Sequence, residues 1–186
     1  MAPFFLSFLA VALAMLAGRE AVRVSRFAAA GANVGALLAL VALAAVAGCA
    51  LAAWLAGNFA ELLGPKQQSW FVAAALVMAG LEVIFLDAPK APREPTQSLG
   101  ALALVLFAGV LADASGLLVL SLSVATGAPM LAAAGGGLGA AMVLGMAALA
   151  GGDWEKVPRQ PLRWVVGGSL LAGAFIVALF PPGTLQ

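Results

Sequence analysis

Residues 110–120 read VLADASGLLVL and set one carboxylate, Asp113, and one hydroxyl, Ser115, inside a long apolar run. Between Leu99 and Thr126 no other residue carries charge. A helix crosses a bilayer with about 20 apolar residues, so the stretch is long enough to span, and Asp113 falls near its middle. Hydrocarbon does not solvate a lone carboxylate, which must face the bundle interior, a water-filled cavity or a partner of opposite charge. The surroundings of Asp113 therefore decide between a plain packed bundle and a bundle with a working centre.

The rest of the chain has the same character. Of its 186 residues 64% are hydrophobic and 9% charged, with a mean hydropathy of +1.10, whereas about 25% of the residues of a soluble domain are charged. The lipid bilayer is the expected partner. Net charge is +1 with no block of Lys or Arg, which leaves nucleic acid no electrostatic footprint. One cysteine, Cys49, and no histidine or tyrosine leave neither a disulfide nor a Cys/His metal site, and almost no residues for nucleophilic or acid–base catalysis. The chain reads as no enzyme and without a cofactor. A bound metal would need oxygen ligands, and the acids that fall within or beside spans are Asp113, Glu20 and Glu82.

Apolar runs place spans near 4–26, 31–57, 67–86, 99–126, 129–151 and 162–180, separated by segments rich in Pro, Gly and polar residues. The first run has small residues near its end but no basic region before it, and so reads as a span rather than a signal peptide. The fold class is thus an all-α integral membrane protein of six transmembrane helices, with both ends on one side. Arg19, Arg23, Arg26, Lys90, Arg93, Lys156, Arg159 and Arg163 fall on one face of this arrangement and Lys66 alone on the other. Positive charge collects on the cytoplasmic side, so both termini are expected to be non-cytoplasmic, in a bacterial inner membrane.

The two halves can be superposed at an offset of 95 residues. Residues 1–86 form a first three-helix repeat, 87–98 a cytoplasmic linker and 99–186 a second three-helix repeat. Three spans per half make the second copy inverted, an arrangement that sets binding sites where the repeats meet near the midplane. Gly31-x-x-x-Gly35 and Gly135-x-x-x-Gly139 have the spacing that lets helix backbones approach closely. Trp70, Trp154 and Trp164 lie at span edges as interfacial anchors.

At that offset Met15-Leu-Ala-Gly-Arg-Glu20 overlays Val110-Leu-Ala-Asp-Ala-Ser115. In architecture, spacing and flanks, including residues 54–85, the chain resembles the small six-span GDT-type cation/proton exchangers of manganese and calcium homeostasis. Those proteins carry inverted copies of Glu-x-Gly-Asp-(Lys/Arg)-(Thr/Ser) in the first and fourth spans. In the fourth span Asp113 falls on the signature Asp and Ser115 on its hydroxyl residue, while Val110, Ala112 and Ala114 replace Glu, Gly and the basic residue. In the first, Arg19 falls on the basic position, and Met15, Ala17, Gly18 and Glu20 stand for Glu, Gly, Asp and the hydroxyl residue. The resemblance implies alternating access, divalent cations and protons as cargo, and Asp113, Ser115 and Glu20 as ion- or proton-binding residues with Asp113 as the metal ligand.

Of the four signature acids only Asp113 is kept, and a hard divalent ion asks for about six oxygen ligands. Arg19, Arg23 and Arg26, spaced along one helical face, bring positive charge toward the same region. Two readings of them stand. In one, Arg19 is an internal ion-pair partner of Asp113, replacing the ion; in the other, the first span ends near Gly18 and all three arginines lie in the headgroup layer. Glu82 reads as an interfacial carboxylate or as a proton-relay acid. Function divides in the same way, between an exchanger-like carrier and a non-transporting structural or accessory subunit of a larger membrane complex or homodimer.

Overall fold

The computed structural model describes residues 1–88 and 98–180. Among them all regular structure is helical: α1 (Ala2–Ala17), α2 (Arg19–Ala29), α3 (Val34–Leu62), α4 (Pro65–Phe85), α5 (Leu99–Ala112), α6 (Ala114–Thr126), α7 (Pro129–Ala150), a 3-10 turn (Gly151–Lys156) and α8 (Arg159–Leu179). Ala and Leu supply helix propensity throughout, and local chemistry sets the ends. The Asn33 side chain accepts the Ala36 N–H at 3.0 Å to start α3, and Ser98 accepts from Ala101 at 3.3 Å to start α5. Pro65 and Pro129 open α4 and α7, where a missing N–H costs nothing. Gly127, at φ +62°, closes α6 in a conformation that only glycine adopts readily.

Four helical segments are long and apolar enough to cross a membrane: Val34–Leu62, Pro65–Phe85, Pro129–Lys156 and Arg159–Leu179. Two bent pairs add to them, α1 with α2 at 60° and α5 with α6 at 49°, giving four to six candidate spans. Several long apolar helices are compatible with an integral membrane location. The stretches expected as uninterrupted spans at 4–26 and 99–126 are therefore each broken once, at Gly18 and at Asp113.

Both breaks have local causes. Gly18 is extended, and a Cβ there would come within 2.8 Å of the Ala14 carbonyl and 3.7 Å of Asp113 Oδ2. The tight contact is with the preceding turn, while Asp113 lies at ordinary contact distance. At Asp113 the Ser115 hydroxyl donates to the Val110 carbonyl at 3.0 Å, satisfying an acceptor that the interrupted helix leaves without its usual donor. A Cβ at Gly116 would strike the Leu111 carbonyl.

The halves are interleaved. Helix α1 packs on α7 and α6, α3 on α7, α5 and α6, and α4 on α8 and α6, while α2 lies against α7 and the 3-10 turn. Met15, Leu37, Val110, Leu118, Val143 and Leu144 lie in the common core. Gly135 and Gly139 do what their spacing predicts: side chains there would strike the Phe4 carbonyl and come within 2.7 Å of the Phe8 carbonyl, so α1 and α7 touch backbone to backbone. The matching expectation for Gly31 and Gly35 fails. Gly31 sits in the α2–α3 turn at φ +91° with open space around it, and Gly35 meets only the Asn33 cap. Trp154 also departs from its expected role, since it is buried while Trp70 and Trp164 are exposed. Lys90, Arg93 and most of the linker placed at 87–98 lie outside the described residues.

Candidate functional site

The two breaks meet. Arg19 and Glu20, on the first turn of α2, lie against Asp113 at the α5–α6 junction, and Glu82 arrives from the last turn of α4. The Arg19 guanidinium reaches all three acids: NH2 is 2.7 Å from Glu82 Oε1, and Nε is 3.7 Å from Asp113 Oδ1 and 3.8 Å from Glu20 Oε1. Arg23 closes the group from the next turn, with NH1 3.0 Å from Glu20 Oε2. Asp113 and Glu82 stand within hydrogen-bonding reach of each other.

Burial makes this arrangement consequential. Asp113 and Glu20 are each 1% exposed and Glu82 8%, so water does little to screen them. Three carboxylates against two guanidiniums leave one formal negative charge in a low-dielectric interior. Hydrogen bonding is incomplete: Arg19 Nε, Glu20 Oε1, Glu82 Oε1 and Asp113 Oδ2 are buried without a bond of acceptable geometry. The 2.7 Å approach of Arg19 to Glu82 is close but poorly aligned, an ion contact rather than a directed hydrogen bond. Such a cluster has unused acceptor capacity for a proton or a water molecule.

Asp113, Glu20 and Arg19, named from the sequence, are thus brought together, whereas Ser115 directs its hydroxyl to Val110. The first helix ends at Ala17, and Arg19 and Arg23, just beyond it, turn onto buried acids. Glu82 is buried against Arg19 rather than exposed at an interface. Among the described residues no group of three or more acids, cysteines or histidines is disposed to hold a metal ion; the Arg19 side chain lies amid the carboxylates instead.

Gly109 is a part of the site that sequence reasoning missed. A Cβ there would fall 2.5 Å from Glu20 Oε2 and 2.9 Å from Arg23 NH1, so α5 makes room for the Glu20–Arg23 pair by omitting a side chain. Its signal was the second of two glycines in an apolar helix, four residues before Asp113. A larger cavity than the one beside Arg19 lies elsewhere. It is a groove of about 740 Å³ between α3 and α7, lined by residues such as Val46, Trp54, Ala133 and Leu138, with Glu61 as its single ionisable group. Size alone does not mark the chemistry in this molecule.

No protein-family model matches the chain, and neither a curated protein nor a solved structure matches it.

Proposed function

We propose that this chain is a proton-coupled membrane carrier of the cation/proton exchanger type, built from two inverted three-helix repeats in six spans, with Asp113, Glu82 and Glu20 as its proton-binding centre. The observation that carries this reading is the meeting of the two helix breaks around three buried carboxylates. Equivalent elements recur in the same order, with Gly18 and Asp113 separated by 95 positions, as are Val34 and Pro129 at the starts of α3 and α7. Broken helices at a repeat seam are where carriers hold their cargo.

In this reading Arg19 takes the place that a metal cation would occupy. The centre's single unbalanced charge matches one proton, and exchange of that proton accompanies the rocking of one repeat against the other. Manganese and calcium remain the cations to test, because the exchanger resemblance names them. Both termini lie on the non-cytoplasmic face of a bacterial inner membrane, with the arginine-bearing end inside.

Reconstitution into liposomes loaded with a pH-sensitive dye tests the proposal. Imposed gradients of manganese, calcium or potassium should drive proton movement in at least one case, and Asp113→Asn should abolish it. Proton movement no faster than in empty liposomes under every gradient would overturn it. The internal charge compensation also favours a second reading, a non-transporting subunit of a larger membrane assembly. That reading expects Asp113→Asn to leave the protein's behaviour unchanged and expects the chain to co-purify with partner subunits.

A further inference from the structure

A second cavity opens on the other side of Arg19. It holds about 330 Å³, and its wall includes Arg19, Arg26, Asp87, Arg159, Gln160 and Arg163. At ~30 Å³ per water molecule the space takes on the order of ten waters, enough for a small hydrated ion. Four of its lining residues are arginines and one is an acid.

The acids facing this space are already engaged. Asp87 is 2.7 Å from Arg163 NH1, and Glu155, beside the cavity, is 2.7 Å from Arg26 Nε. Glu82 lies behind Arg19, on the side of the carboxylate cluster. Arg163 spends its other donors on the carbonyls of Val83, Ile84 and Leu86, where it ties the end of α4 to α8. It contributes charge to the cavity more than hydrogen bonds.

Arg159 differs. Among the described residues its one hydrogen bond is a 3.4 Å contact to the Trp154 carbonyl, and it makes no ion pair. Glu155 is near enough to attract its charge, and Arg26 and Arg163 are near enough to oppose it. It also opens α8, whose N-terminus carries no side-chain cap, and a cation at a helix N-terminus is disfavoured by the helix dipole. The N-terminus of α2, at Gly18, borders the same cavity and is likewise uncapped by a side chain. Four arginines and the first residues of α2 and α8 line one open space, an arrangement that an anion relieves.

We propose that this cavity is a binding site for a phosphate-class oxyanion, with Arg159 and Gln160 as its principal donors and Arg19 and Arg26 supplying further positive charge. Free phosphate and the phosphodiester headgroup of an anionic lipid present the same oxygens, and basic pockets between membrane helices on the cytoplasmic side accept such headgroups. The site stands whether or not the carboxylates behind Arg19 carry protons.

The test is thermal unfolding of the full chain, since a ligand that binds the folded state raises the midpoint with concentration. Inorganic phosphate is titrated in neutral detergent against sodium chloride of equal ionic strength, and nanodiscs of phosphatidylglycerol are compared with nanodiscs of phosphatidylcholine. A saturable rise with phosphate identifies a soluble anion as ligand, and a rise confined to phosphatidylglycerol identifies a lipid headgroup. Either supports the site, provided Arg159→Gln weakens the response about tenfold and Lys66→Gln leaves it intact. Arg159→Lys, which keeps the charge but loses the planar fork, should fall between them and guards against a folding defect in Arg159→Gln. No rise in either medium, or an equal rise in Arg159→Gln, would overturn the proposal.

Discussion

The two bent helix pairs are built on opposite principles. In the second half, α5 and α6 are apolar on both sides of the break, and Asp113 is their single charge. In the first half, α1 is equally apolar, but α2 carries Arg19, Glu20, Arg23 and Arg26 within two turns and buries Glu20 as deeply as any core residue. One break presents an acid; the other presents the cations that answer it. A carboxylate with an unused oxygen can be kept in an apolar bundle because α2 supplies guanidiniums beside it, and Gly109 leaves the space for the Glu20–Arg23 pair.

The largest expected effect comes from removing that answer. Arg19→Met leaves Glu82, Asp113 and Glu20 buried with one guanidinium among them, and should cost about 3–5 kcal/mol in a denaturant titration. Substitutions at the close helix contact come next. Gly135→Ala forces a methyl group against the Phe4 backbone and should cost about 1–3 kcal/mol, whereas Gly57→Ala on α3, with open space around it, should be neutral or slightly stabilising. Gly31→Ala, strained by its φ of +91° rather than by crowding, should cost on the order of 1 kcal/mol. Equal losses at Gly135 and Gly31 would contradict the different roles assigned to them.

The smallest effect belongs to the exposed pair that ties α2 to the 3-10 turn. The hydrogen bond and charge of Arg26 hold the Glu155 carboxyl below its ordinary value of 4.5. Its contribution is therefore present above about pH 4.5 and is lost as pH falls through the lower, folded-state value. Wild type and Glu155→Gln should differ slightly at neutral pH and converge in acid. Salt should shrink the difference.

Helix positions were largely legible in the sequence because apolar runs and their Pro and Gly borders are local signals. The break at Asp113 was not, since one aspartate in a long apolar run leaves it looking continuous, whereas the charges that follow Gly18 do mark a change of character. What interrupts each helix is a turn-level detail, the extended backbone at Gly18 and the bond of the Ser115 hydroxyl to the Val110 carbonyl. Asp113 and Arg19 stood out as charges where hydrocarbon tolerates few. Glu82 was visible as an acid near a span, but its contact with Arg19 depends on how α4 lies against its neighbours, which no local pattern encodes. Gly31 shows the converse error, where a spacing associated with helix packing belongs to a turn. The arginine-lined cavity was foreshadowed only as a count of cations on one side.

If Arg19 is the internal counter-ion of a buried acid cluster, removing a neighbouring acid must offset its loss. The measurement is the unfolding free energy in detergent of Arg19→Met, Glu82→Gln and the double variant Arg19→Met/Glu82→Gln. The account predicts that the double variant recovers more than half of the stability lost in Arg19→Met. Losses that simply add would show that the two side chains are not coupled, and would contradict it.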